Sequence, residues 1–151
     1  MGRCAVDTPL GRMVLTASAQ GLTRIEWSNE QVRPTSNPHL DNATAWVEGY
    51  FIGDPLPTPT LDGAALTKFQ FRVCTTLIEH APYGKTTTYG DLARASKSPG
   101  ASRAVGSVMA RQPWPLLVPC HRVLKSDGGL GNYSAADGAI TKKWLLEHES
   151  Q

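Results

Sequence analysis

The chain reads as an α/β N-terminal portion, an antiparallel hairpin sheet plus one helix, followed by a mostly helical C-terminal domain with a helix-turn-helix. Three observations predict this. Two β-rich runs near the start flank a glycine-bearing connection, a proline-rich stretch interrupts the chain after residue 53, and from residue 67 onward apolar residues recur at spacings of three and four. The expected division is 1–53 for the small α/β domain, 54–66 for a linker, and 67–151 for the helical domain.

Ala5-Val6-Asp7 leads into the turn signal Pro9-Leu10-Gly11. Met13-Val14-Leu15-Thr16-Ala17 and, past Gly21, Leu22-Thr23-Arg24-Ile25-Glu26-Trp27 then form the hairpin. Asn37-Pro38 has the chemistry of an N-cap and first helical residue, and Leu40, Ala43, Trp46, Val47, Tyr50 and Phe51 share the face that covers the sheet. Pro55, Pro57 and Pro59 cannot continue that helix and mark the linker. Thr67 caps a helix whose Phe69, Val73, Leu77 and His80 recur every three or four residues, with Phe71, Cys74 and Ile78 widening the arc.

Thr88, three residues before Asp91, opens a short helix through Leu92 and Ala93. Ser98-Pro99-Gly100 turns the chain into a second helix, with Ala101, Ala104, Val105, Val108 and Met109 buried and Ser102 and Arg103 toward solvent or a partner. Two short helices across a tight turn fit a helix-turn-helix and equally a plain helical hairpin. Leu116-Leu117-Val118 reads as a short buried strand ended by Pro119, Ser126-Asp127-Gly128-Gly129 as a turn, and residues 131–138 as an irregular loop. Ile140, Lys143, Trp144 and Glu147 share a face of a terminal helix, with Leu145 and Leu146 extending its apolar side.

Charge is informative only when divided. Residues 1–67 carry four Lys/Arg and seven Asp/Glu, residues 68–125 nine against two, and residues 126–151 two against four. A net +2 thus conceals a basic middle suited to an anionic partner: nucleic acid first, with an anionic membrane surface or a merely solvated face as the other readings. Three cysteines without a CxxC pair argue for a reducing compartment and against a disulfide framework or a zinc cluster. With no long apolar run, the expectation is a soluble, cytoplasmic protein that needs no cofactor and no metal.

The chemistry concentrates after Pro119. An ordinary thiol is only a few per cent ionised at neutral pH, so a nucleophilic cysteine needs a base or a positive field. Cys120 is followed by His121 and Arg122, and a turn after Pro119 brings the imidazole back to the thiol, directly or through a water. The competing reading of Cys120 is a buried structural cysteine.

Pro119-Cys120-His121-Arg122-Val123, preceded by Thr88-Tyr89-Gly90 and Arg103-Ala104-Val105-Gly106 and followed by Gly131-Asn132-Tyr133-Ser134 and Lys143-Trp144-Leu145-Leu146-Glu147-His148-Glu149, resembles the O6-alkylguanine-DNA alkyltransferase family. The motifs run in order over residues 67–149, and Pro9-Leu10-Gly11 and Tyr50-Phe51-Ile52-Gly53 resemble the family's N-terminal portion. The resemblance implies a suicide DNA-repair methyltransferase that enters the minor groove of double-stranded DNA by a helix-turn-helix, flips the O6-alkylguanine out, and moves its alkyl group irreversibly to Cys120. O4-alkylthymine stays open as a second substrate. His121 is then expected to deprotonate Cys120 through a water, Glu149 to orient His121, and Tyr89 to contact a phosphate and help protonate the leaving guanine. Arg103 is expected to fill the vacated space in the stack. Ala104, Gly106, Arg111, Arg122 and Lys125 join Tyr89 and Arg103 on DNA, and Val123, Tyr133 and Ser134 line the guanine pocket.

Two departures from the family pattern bear on this. Gln112-Pro113 stands where the family commonly has Asn-Pro, so Gln112 is expected to brace the turn that carries Cys120. Ala135-Ala136-Asp137-Gly138 stands where paired glycines and a shorter connection are usual, which bears on pocket width. A monomer in solution is expected, with cooperative clustering on DNA left open. The alternative function is a non-catalytic lesion-recognition protein, against which the retained Cys120 counts. A thiol hydrolase would need turnover and an oxyanion site.

Overall fold

The computed structural model describes residues 1–54, 56–131, 133 and 138–151. The chain forms two compact units, Met1–Ala65 and Leu66–Gln151.

In the first unit, β1 (Gly2–Thr8), β2 (Gly11–Ala17) and β3 (Leu22–Trp27) make an antiparallel sheet in the order β1-β2-β3. The Ala5-Val6-Asp7 run is thus a third strand beside the expected hairpin, with Val6 opposite Met13 and Leu15 opposite Ile25. Helix α1 (Pro38–Ile52) starts where Asn37 accepts from the His39 N–H at 2.8 Å, and it buries Leu40, Ala43, Val47 and Tyr50. Segment 54–66, expected as a linker, belongs largely to this unit: Leu22 N–H donates to Thr60 O at 2.8 Å and Asp62 N–H to Leu22 O at 2.9 Å. Three prolines remove donors but leave these groups free to pair. Gly21 permits the approach, since a Cβ there would stand 2.7 Å from Thr60 O.

The second unit begins with α2 (Lys68–His80), capped reciprocally by Thr67 and Gln70. Strand β4 (Thr87–Thr88) leads into α3 (Tyr89–Ala95), where Thr88 Oγ1 accepts from Asp91 N–H at 3.1 Å. Residues 96–101 connect α3 to α4 (Ser102–Arg111); Lys97 and Gly100 take left-handed conformations there, and Arg72 donates to Ser96 O at 3.0 Å. A 3-10 turn (Cys120–Arg122) precedes β5 (Val123–Leu124), which pairs with β4 in parallel, and α5 (Ala139–Glu149) closes the unit. Val73, Leu77, Leu92, Val105, Trp114 and Leu145 are fully buried between these elements.

Two expectations change here. Leu116-Leu117-Val118 is a buried turn and not a strand, because Leu116 is left-handed (φ 77°) and Val118 N–H closes back on Trp114 O at 2.9 Å. On α5 the buried residues are Thr141, Lys142, Leu145 and Glu149; of the residues expected on the apolar side Leu145 is buried, while Ile140 is 76% exposed.

Candidate active site

Helix α4 ends at Arg111 because Gln112 is extended (ψ 146°). The Gln112 side chain then braces the turn from both ends of its amide. Its Oε1 accepts from Trp114 N–H at 2.7 Å, and its Nε2 donates to Cys120 Sγ at 3.4 Å. The 3-10 turn starts as Cys120 N–H donates to Val118 O and Arg122 N–H to Pro119 O. Burial pushes the Cys120 thiol up to about 11, while the Gln112 amide, the Lys142 charge and the backbone N–H groups of Cys120 and His121 all pull the other way.

His121 is completely buried, and its Nε2 lies 2.5 Å from Glu149 Oε2. Burial alone would raise the Glu149 carboxyl, but hydrogen bonds from His121 and Arg122 and the adjacent positive charge hold it at about 2. A carboxylate only accepts, so Nε2 carries the ring proton and donates. That leaves Nδ1 as the lone-pair nitrogen, and it is buried without a hydrogen bond. Burial, outweighing Glu149, holds His121 below 6.5 and keeps the imidazole neutral at pH 7.

Arg122, expected on DNA, instead points inward. Its Nε and Nη2 donate to Glu149 at 2.7 and 3.0 Å, its Nη1 donates to Ala81 O at 2.8 Å, and its guanidinium lies 5.7 Å from the Tyr83 ring centroid. A buried carboxylate needs a paired cation, and Arg122 supplies it bidentately. The residue is 6% exposed.

Lys142 was not among the expected site residues. It is completely buried; its Nζ donates to Val123 O at 2.8 Å, and its charge draws the Cys120 pKa down. Its sequence signal is the spacing of 142, 145 and 149, three then four, which sets a lysine on the buried helix face. A fully buried lysine is rare enough to mark a site.

A cavity of about 910 Å³ brings Cys120 together with Tyr89, Arg103, Gly106, Lys125 and Tyr133 among its lining residues. It also takes in Ser102, Ser107, Met109, Ala110, Gly131 and Ala139, which sequence reasoning did not single out for a site. Gly106 faces the Tyr89 ring, and a Cβ there would lie 4.0 Å from it, in ordinary van der Waals contact. Burial raises the half-buried Tyr89 hydroxyl.

Ala104 and Arg111 are exposed on α4 outside the lining. Val123, expected in the guanine pocket, does not line the cavity: its side chain is completely buried and its carbonyl is taken by Lys142. Ser134 and the Ala135-Ala136-Asp137 stretch lie outside the described residues. Among the described residues there is no group of three or more His, Cys, Asp or Glu placed to hold a metal, and no helix long and apolar enough to cross a membrane.

A buried thiol braced by an amide, followed by a histidine–carboxylate pair and opening on a cavity with cationic side chains, is the setting that cysteine-nucleophile chemistry requires. Residues 68–151 match the family described as 6-O-methylguanine DNA methyltransferase, DNA binding domain. The methylated-DNA–protein-cysteine methyltransferase of Mus musculus is 35% identical, covering 95% of this chain and 79% of its own, and that of Homo sapiens is 34% identical, covering 99% and 80%. The Mycobacterium tuberculosis OGT solved in complex with DNA superposes with a TM-score of 0.79 at 32% identity, covering 97% of this chain and 91% of its own. The O6-methylguanine-DNA methyltransferase of Pyrococcus kodakaraensis reaches a TM-score of 0.72 at 26% identity, covering 99% and 98%. The chain belongs to the 6-O-methylguanine DNA methyltransferase family.

Proposed function

We propose that this protein repairs O6-alkylguanine in double-stranded DNA by direct reversal, moving the alkyl group irreversibly onto Cys120 in a single turnover. The observation that carries the reading is the Cys120 thiol, held by Gln112, followed by the His121–Glu149 pair and open to a cavity that also holds Tyr89 and Arg103. A protein that only recognised the lesion would have no use for a retained and braced thiol.

Helices α3 and α4 act as the helix-turn-helix, and α4 lies in the minor groove with Arg103 in the space the flipped nucleotide vacates. Flipping costs a few kcal/mol, which the wedge and phosphate contacts offset. In the free protein, ionising a thiol held at about 11 costs roughly 5 kcal/mol at pH 7. The neutral His121 then takes the proton on Nδ1 through a water, while Nε2–H stays on Glu149. Lys142, the Gln112 amide and the turn N–H groups stabilise the sulfur charge. The S–C bond forms as the C–O6 bond breaks, and the guanine leaving with the electron pair takes a proton from the Tyr89 hydroxyl. A thioether is a poor leaving group, so the product stays on the protein.

The test is intact-protein and peptide mass analysis after mixing with duplex DNA carrying O6-methylguanine. One methyl on the Cys120 peptide, absent from Cys120→Ser, is the expected result. Tight lesion binding with no mass change would overturn the acceptor reading.

A further inference from the structure

The turn between α3 and α4 carries a cation that the transfer chemistry does not use. Lys97 N–H donates to Arg94 O at 3.0 Å and Ser98 N–H to Ala93 O at 2.9 Å, which is the Schellman ending of a helix. Its left-handed position falls on Lys97, at φ 62°. Glycine ordinarily fills that position, because a Cβ at positive φ crowds the backbone. Among the described residues Lys97 and Leu116 are the non-glycine residues with positive φ, and Leu116 lies in the buried turn before Cys120.

The strained residue is gripped on both sides. Arg72, on α2, donates from Nε to Ser96 O at 3.0 Å and from Nη2 to Ser98 Oγ at 3.2 Å. Ala101 N–H then closes on Ser98 O at 3.1 Å and leads into α4. The Lys97 side chain takes no part in this bracing. The residue is exposed and forms no ion pair among the described residues, whereas Arg94 is paired with Asp91.

Gly90 shows where this turn stands. A Cβ on Gly90 would lie 3.7 Å from Arg94 Nη1 and 3.8 Å from Ser102 Oγ, so Arg94 reaches from the last turn of α3 to the start of α4, where Ser102 and Arg103 line the cavity. In a helix-turn-helix the second helix enters the groove while the first crosses the backbone. Lys97, three residues past Arg94, closes the helix that crosses the phosphates.

We propose that Lys97 is a phosphate anchor, a charge contact to the duplex backbone that serves the search along undamaged DNA and not the recognition of the lesion. The proposal rests on the reading of α3 and α4 as a helix-turn-helix on DNA. It accounts for a lysine at a glycine position, since a backbone outlier held in place by its surroundings points to a use for its side chain. A backbone contact carries no information about the base, so Lys97 contributes equally wherever the protein stands on duplex DNA. Flipping and transfer draw on Tyr89, Arg103 and Cys120 instead.

The experiment measures affinity against salt on two duplexes that differ only in carrying guanine or O6-methylguanine, in a Cys120→Ser background so that the lesion is not consumed. Denaturant midpoints are measured beside it. Lys97→Gly should raise the midpoint, because glycine relieves the left-handed position, and should lower the slope of log affinity against log salt by about 0.9 on both duplexes. Lys97→Asn, which tolerates the same backbone without the charge, should lower the slope equally, and Lys97→Arg should retain it. The ratio of the two affinities should stay constant throughout. An unchanged slope in Lys97→Gly and Lys97→Asn overturns the proposal, and so does a loss confined to the lesion duplex. If binding of the parent to undamaged duplex shows no dependence on salt, the DNA reading itself fails and the anchor with it.

Discussion

Replacing Arg122 by methionine separates a DNA-contacting arginine from one that holds the site together. The guanidinium makes two bonds to Glu149, at 2.7 and 3.0 Å, and one to Ala81 O at 2.8 Å, with the Arg122 and Glu149 side chains 8% and 2% exposed. Removing one partner of a buried pair costs about 3–5 kcal/mol, because the remaining charge is left without compensation. Two neighbours soften the loss here: His121 Nε2–H, and Gly84 N–H at 3.4 Å, still face the carboxylate. Arg122 also opposes protonation of His121, so without it the imidazole becomes easier to charge and takes over part of the pairing. The expected destabilisation is therefore near the lower end, about 3 kcal/mol. It is read as a shift in denaturant midpoint at unchanged slope, followed by the fluorescence of the buried Trp114. Binding to undamaged DNA supplies the second readout. A phosphate contact contributes about 0.9 to the slope of log affinity against log salt, and a buried Arg122 contributes nothing. An unchanged midpoint together with a salt slope reduced by about one would refute the inward-facing role.

Gln112→Ala removes the 2.7 Å bond to Trp114 N–H and the 3.4 Å bond to Cys120 Sγ, so stability should fall by about 1–3 kcal/mol and methyl transfer should slow; an unchanged single-turnover rate would show that the amide does not support the thiol. Lys142→Met takes away a charge that lowers the Cys120 pKa, and the pH at which transfer reaches half its maximum should move upward, with no movement counting against the coupling. Stability should also depend on pH at both ends. His121 is held below its ordinary 6.5 and Glu149 at about 2 against 4.5, so the stability each adds is full above those ordinary values. It is lost as pH falls, at up to about 1.4 kcal/mol per pH unit for each proton taken up, which denaturation between pH 7 and pH 3 would measure. Cys120 and Cys74, held at about 11 and about 12 against 9.0, act in the opposite sense, and stability should decline as pH rises past 9.

Much of this molecule is legible in its residues alone. Asn37, Thr67 and Thr88 announce helix starts because a side-chain oxygen must satisfy an orphan N–H wherever a helix begins. The β2 and β3 runs are local patterns of apolar residues between turn signals, and the Cys120-His121 pair with its ordered companion motifs marks the chemistry and the family. Charge by segment finds the basic middle but not the direction in which each cation points. Arg122 belongs to that basic stretch by sequence and to the core by structure, since Glu149, 27 residues away, draws it inward. Lys142 was passed over and Leu116 misread for a related reason. A face chosen by its apolar residues leaves a lysine out, and an apolar triplet reads as a strand. A carbonyl at Val123 and a turn closed on Trp114 make them a buried cation and a left-handed bend. Local residue preferences determine which elements form, because their hydrogen bonds are short in sequence. Where a long charged side chain ends is decided by tertiary structure, because burial repays its desolvation only when a partner from elsewhere in the chain is waiting.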